Sequence, residues 1–169
     1  MNLDKKSIIY FFRYLCLALA LAVIFFVLSR AIFTGRTLLY NLDFSQSLSR
    51  DIVGWYPESR VAQVSSSTNS TLNILAEPIY LKIYSPVDFR TMTIQGDVNK
   101  QDKDIRLGLR QKDGSWFFHS IASNNFRLDF DLSNAQIKRN QLEIILSIPD
   151  LSADSNISLV NNWIITLSR

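Results

Sequence analysis

The chain changes its hydrophobic rhythm once, near residue 37. From Ile8 to Leu28 it runs apolar for 21 residues with a single charged interruption, Arg13. Between Tyr14 and Leu28 the only polar side-chain groups are the phenol of Tyr14 and the thiol of Cys16. Beyond residue 37 apolar and polar positions alternate instead. LLYNLDF sets Leu38, Tyr40, Leu42 and Phe44 on one face. IYLKIY separates Ile79, Leu81 and Ile83 from Tyr80, Lys82 and Tyr84. DIRLGLRQ, FRLDFDL and LEIILSI repeat the pattern with Ile105/Leu107/Leu109, Phe126/Leu128/Phe130/Leu132 and Leu142/Ile144/Leu146/Ile148. A period of two over such short runs predicts half-buried strands. The closing run, Ile157 to Leu167, is rich in β-branched and aromatic residues around a polar Asn161-Asn162 step, which predicts a bulge.

The connectors carry turn chemistry. Lys112-Asp113-Gly114-Ser115 sits between two β-patterned runs and predicts a hairpin, because Asp-Gly tolerates the positive φ that such turns require. Pro57, Pro78, Pro86 and Pro149 fall at the ends of β runs, where a missing N–H does least harm. Ser65 to Thr71 (SSSTNST) reads as a polar loop. Leu132 to Arg139 reads as one helical turn capped by Ser133. About eight or nine short strands joined by polar turns predict an all-β fold, an antiparallel β-sandwich. One inward face per strand supplies the core.

The first run has the length of an anchor. A helix across the hydrocarbon core needs about 20 residues, whereas the apolar part of a signal peptide spans about 7–15 and ends at small residues. Ala18 and Ala20 have a cleavage-like spacing, but eight more apolar residues follow Ala20. The expected organisation is a cytosolic tail at 1–7, one transmembrane α-helix at 8–30, a stalk at 31–37 and an extracytoplasmic β-sandwich domain at 38–169. Arg13 and Arg30 can reach headgroups from the two ends of the span. Lys5, Lys6 and Arg13 before the core, against Arg30 and Arg36 after it, favour a cytosolic N-terminus. The expected location is therefore the cell membrane, single-pass, with membrane lipid as a partner of residues 8–30.

Charge follows the same division. Residues 1–36 hold five cations against Asp4, a net of +4, while residues 37–169 hold 13 basic and 14 acidic side chains. A nearly neutral domain has no field to draw in a polyanion, so nucleic acid is excluded as a partner. Cys16 is the sole cysteine of the 169 residues, which rules out an intrachain disulfide and a cysteine-based metal site. Five glycines are too few for a phosphate-cradling loop, and no cofactor is expected.

Asn41-Leu42-Asp43-Phe44, followed by Gly54-Trp55-Tyr56, resembles the start of galactose-binding-like jelly rolls, which include many carbohydrate-binding modules. Val160-Asn161-Asn162-Trp163-Ile164 is similar to their closing strand. The resemblance spans residues 38–169 in strand order and implies a jelly-roll-like sandwich. It also implies exposed aromatics that stack on pyranose rings, with polar side chains fixing the hydroxyls. Trp55, Tyr56, Tyr80, Tyr84 and Trp116 are the ligand-binding candidates on that basis. Members of the family often hold a structural calcium near the chain ends, to which Asp43 could contribute. Asn161-Asn162 stands where they often have Asp, so no metal is expected.

Catalytic constellations are thin. His119, the sole histidine, shares a strand face with Phe117 and Ile121, the setting of a half-buried imidazole rather than a general base. Asp129 and Asp131 lie about 7 Å apart on one strand face, within the spacing of inverting glycosidases. They are flanked by Arg127, and Arg106 and Arg110 are expected to pair with them across strands. The sequence thus points to a membrane-anchored, non-catalytic sandwich that binds carbohydrate or another envelope component. An accessory subunit of a membrane protein assembly is the alternative, and a hydrolase built on Asp129 and Asp131 is a third, weaker class.

Overall fold

A computed structural model describes residues 13–26, 37–44, 51–65, 70–86, 88–152 and 157–169. The chain divides into two units, Met1–Arg36 and Thr37–Arg169. In the first, residues 13–26 are helical and every side chain is exposed, the large apolar ones from Leu15 to Phe26 included. At 1.5 Å per residue these described residues cover about 20 Å of helix. Among the described residues no helix is long and apolar enough to cross a membrane. The expected span 8–30 extends past these described residues at both ends. Residues 8–12 and 27–30 lie outside the described residues, as do the tail at 1–7 and most of the stalk.

The second unit is a sandwich of two six-stranded sheets whose strand pairs are all antiparallel. One sheet runs β3 (Val61–Ser65), β4 (Ser70–Ile74), β12 (Ser158–Ser168), β6 (Thr91–Asn99), β9 (Asn125–Asp131), with β1 (Thr37–Asp43) on the C-terminal half of β12. The other runs β2 (Ile52–Tyr56), β5 (Ile79–Tyr84), β11 (Gln141–Ser147), β7 (Arg106–Arg110), β8 (Trp116–Ser120), with β10 (Ile137–Lys138) beside the start of β11. They are called the β12 sheet and the β11 sheet below.

The alternating residues do what their period predicts. Leu42, Ile79, Leu81, Ile83, Leu107, Leu109, Leu142, Ile144, Leu146, Ile165 and Leu167 are at most 1% exposed and fill the space between the sheets. Fully burying such a side chain is worth about 1.5–3 kcal/mol. Trp163 lies at the centre, with edge-to-face contacts to Phe44, Trp55 and Phe126 at centroid distances of 4.9–6.2 Å. Its indole N–H donates to the Asp97 carbonyl at 2.9 Å. The ring fits because Gly96 has no side chain: a Cβ there would stand 2.2 Å from Trp163 Cδ1. The register of β12 shifts between Val160 and Ile164, and Asn161 takes φ 58°, so the polar Asn161-Asn162 step is the expected bulge.

The hairpin at 112–115 forms as expected, with Gly114 at φ 86° and the Asp113 carboxylate accepting from the Ser115 N–H at 2.9 Å and its hydroxyl at 2.6 Å. Other expectations are corrected. There are twelve strands among the described residues, not eight or nine. The SSSTNST segment is not all loop, since Ser65 ends β3 and Ser70 and Thr71 begin β4. Ladder bonds from β3 and β12 stabilise this backbone as strand despite its composition. Residues 66–69 lie outside the described residues. The helical turn at 132–139 is absent: Ser133 N–H and Oγ bond back to the Asp131 carboxylate at 2.9 and 3.0 Å, and the segment continues as β10.

Candidate functional site

The outward side chains of the β11 sheet form two cross-strand rows. Tyr56 lies opposite Tyr80, Tyr80 opposite Ile145, Ile145 opposite Gly108, and Gly108 opposite Phe118. In the neighbouring row Lys82 faces Glu143, and Arg110 faces Trp116. Tyr80 and Trp116 stand on strands separated by β11 and β7, roughly 14 Å across a flat sheet. Their ring centroids are nevertheless 6.0 Å apart. Between them the face is closed over Gly108, where a Cβ would meet Ile145 Cγ2 at 2.6 Å and the Phe118 ring at 2.7 Å. Tyr56 stacks on Tyr80 at 5.3 Å and 26°. Ile145 is therefore only 5% exposed although it points away from the core.

Glu143 anchors the polar half. It accepts a short hydrogen bond from the Tyr56 hydroxyl, another from Arg110 Nη1 at 3.0 Å, and lies 3.6 Å from Lys82 Nζ. Burial on its own would raise the Glu143 carboxyl. The Tyr56 and Arg110 hydrogen bonds and the Lys82 charge outweigh it and hold the group below its ordinary value. The Tyr56 phenol moves up, first through burial and then because deprotonation would set a second anion against Glu143. Both cations also lie on rings: Lys82 Nζ is 4.8 Å from the Tyr56 centroid and Arg110 Cζ 5.4 Å from that of Trp116.

Beside these rows a cavity of about 470 Å³ is lined by Lys82, Arg110, Gln136, Lys138, Arg139, Gln141 and Glu143. It offers ammonium, guanidinium and amide donors, two amide carbonyls and one carboxylate, and its Lys82 and Arg110 lie on the Tyr56 and Trp116 rings. That is hydrogen-bonding chemistry suited to hydroxyl-bearing ligands.

Of the five sequence candidates, Tyr56, Tyr80 and Trp116 come together here. Tyr84 is on the same face but further along β5, opposite Gln141, and joins no ring pair among the described residues. Trp55 is a correction: it is 6% exposed and packed edge-on against Trp163 at 5.9 Å, so it offers no ring to a ligand. Sequence reasoning missed Lys82, Arg110, Glu143, Phe118 and Ile145 as site residues. One signal was present. Ile144-Ile145-Leu146 breaks the alternation of β11, and an apolar residue on an outward position implies that something covers it.

The remaining candidates stand apart. His119 is half-buried between Phe117 and Phe130, each 4.9 Å from its ring. Asp129 accepts from Thr93 Oγ1 at 2.5 Å on the outer face of the β12 sheet. Asp131 is held by Ser133 and borders a different cleft, of about 810 Å³, which Asp129 does not line. Arg106 pairs with Asp104 and Arg110 with Glu143, not with Asp129 or Asp131, because β7 and β9 belong to different sheets. Asp43 lies opposite Asn162 in the β1–β12 ladder, and Asn161 donates to Asp97 at 3.1 Å. Among the described residues no group of three or more His, Cys, Asp or Glu side chains is placed to hold a metal ion.

No family model and no curated protein matches the chain. Among solved structures it is similar to carbohydrate-binding modules. One is a low-affinity xylan-binding module, CBM86, from the gut symbiont Roseburia intestinalis, at 13% identity and TM-score 0.44, covering 78% of this chain and 95% of that one. Another is the C-terminal CBM6 of LamC, a marine laminarinase from Zobellia galactanivorans, at 8% identity and TM-score 0.45, covering 78% and 100%. A third is a CBM29-2 module complexed with mannohexaose, at 7% identity and TM-score 0.45, covering 78% and 93%. The likeness is distant, and any reading of function rests on the side chains of the face itself.

Proposed function

We propose that this chain is a non-catalytic carbohydrate-binding β-sandwich held at a membrane by its N-terminal segment. One observation carries the binding reading: Tyr56, Tyr80 and Trp116 converge on one sheet face, and the polar side chains that Tyr56 and Trp116 touch, Glu143, Lys82 and Arg110, line a groove rich in hydrogen-bonding groups. Aromatic carbon provides a surface for the C–H face of a pyranose, and the Arg110–Glu143–Lys82 network fixes donors and an acceptor in advance, which lowers the ordering cost of binding. Against a hydrolase, Asp129 and Asp131 do not share a cleft, and His119 packs between rings. The anchor reading draws on the 21-residue apolar run and on the exposed large apolar side chains from Leu15 to Phe26. In this reading the N-terminus is cytosolic and the sandwich lies outside.

The test uses the full-length chain in a polyoxyethylene detergent, which carries no sugar, against a panel of polysaccharides in affinity electrophoresis. Binding to at least one glycan is expected, weakened about tenfold or more by Trp116→Ala or Tyr80→Ala. A folded chain that retards on no glycan, or variants that bind as well as wild type, would overturn it. For the anchor, the protein should sediment with membranes and resist carbonate extraction. An accessory-subunit role is a second reading, favoured by β8, which ends its sheet and leaves Phe117 and Phe118 49% and 39% exposed. A stoichiometric protein partner retained in mild detergent, and lost on Phe117→Ser, would favour it.

A further inference from the structure

We infer that the groove on the β11 sheet selects anionic saccharides, those bearing carboxylate or sulfate groups; this rests on the carbohydrate-binding reading above and narrows it. Lys82, Arg110, Lys138 and Arg139 line the groove against a single carboxylate, Glu143, a local net of +3. Residues 37–169 as a whole carry −1, so the positive charge is concentrated here and is not a general property of the domain. Glu143 does not stand open to repel an anion, because Tyr56, Arg110 and Lys82 already occupy it. Lys138 and Arg139 take part in no ion pair among the described residues, and both are exposed at the groove.

Arg110 adds a directional element. Glu143 engages Nη1 and the Trp116 ring lies against the guanidinium carbon, so the group is held in place where it lines the groove. A guanidinium fixed between a carboxylate and an indole face presents a planar fork, which matches carboxylate and sulfate oxygens better than it matches a lone hydroxyl. Neutral glycans satisfy the aromatic wall alone. An acidic glycan satisfies the wall and the unpaired cations together, and part of its advantage is screened by salt.

Affinity electrophoresis and calorimetry on the full-length chain in polyoxyethylene detergent test this, with polygalacturonate (carboxylate), dextran sulfate (sulfate), xylan (neutral) and single-stranded polynucleotide compared at 20 and 500 mM NaCl. At low salt one or both acidic glycans should bind about tenfold more tightly than xylan, with the preference shrinking at high salt. Lys138→Ala/Arg139→Ala, which removes two exposed cationic side chains from the groove, should abolish most of that preference. Neutral glycans bound as tightly as acidic ones, with the double variant unchanged, overturn the inference and leave the carbohydrate reading standing. No glycan bound at all overturns both. Polynucleotide bound as tightly as the acidic glycans shows unselective polyanion attraction and also overturns it. The two acidic arms tell which group the groove prefers.

Discussion

The two outward faces of the sandwich start from the same strand period and end differently. On the β12 sheet most outward positions are Thr, Gln, Asn, Asp and Arg, with Leu39 and Val64 exposed singly on β1 and β3, and the polar ones are tied by local bonds such as Thr93 to Asp129 at 2.5 Å, Thr91 to Ser168 at 2.7 Å and Asn125 to Asp97 at 2.8 Å. That is all a solvated antiparallel face requires. On the β11 sheet the same positions hold Tyr56, Tyr80, Trp116, Phe118 and Ile145 with three charges threaded between them. Covering Ile145 from outside adds nothing that the core needs, since the core already closes between the sheets. The contrast teaches that the aromatic face is surplus to folding, and surplus apolar surface on one side of a sandwich marks where something binds.

The sheets also use glycine oppositely, and this gives the largest expected effect. Gly96 on the β12 sheet is roofed by Trp163 inside the core, so Gly96→Ala should cost about 2–3 kcal/mol in urea unfolding, with no soft side chain to give way. Next comes the charge network of the other face. Glu143→Ala should cost about 1–2 kcal/mol, held to that range because Lys82 and Arg110 keep more than a third of their side-chain surface in water. Gly108→Ala meets the partly exposed Phe118 ring, which can swing outward, and should cost about 1 kcal/mol while weakening glycan binding more than stability. Thr93→Ala on the plain face should change stability by less than about 0.5 kcal/mol and leave glycan binding intact. A large binding loss from it would erase the distinction between the faces.

Acid should separate the faces as well. The Glu143 carboxyl lies below its ordinary value in the folded protein, so its contribution is present above the unfolded value of about 4.3 and is lost as pH falls through the lower folded value. Melting temperature followed from pH 5 down should therefore fall less steeply in Glu143→Gln than in wild type. Asp113 and Asp131 are also held low by hydrogen bonds from Ser115 and Ser133, but they act equally in both proteins and cancel in the comparison.

Much of this was legible in the chain itself. The runs around Tyr40, Ile79, Leu107, Phe126 and Leu142 became β1, β5, β7, β9 and β11 because alternation is a local property of each strand. The Asp113-Gly114 hairpin and the Asn161-Asn162 bulge were legible for the same reason: backbone preference acts over two or three residues. Where expectation failed, a distant partner had overridden composition. SSSTNST contains strand ends because β12 supplies ladder bonds, and Ser133 turns back to Asp131 instead of capping a helix. Trp55 and Tyr56 are adjacent in sequence yet end on opposite sides of the sheet, one in the core and one on the candidate face.

By itself, then, the sequence determined an apolar N-terminal run, a β-patterned body, its inward faces and several of its turns, since each depends on neighbours a few residues away. Only the tertiary structure decided which outward side chains meet. Tyr56 and Glu143 are 87 residues apart in the chain and share a hydrogen bond, and that pairing exists only because β5 lies between β2 and β11. Strand order and register are collective outcomes of packing two sheets around Trp163. They are written in no single stretch of residues.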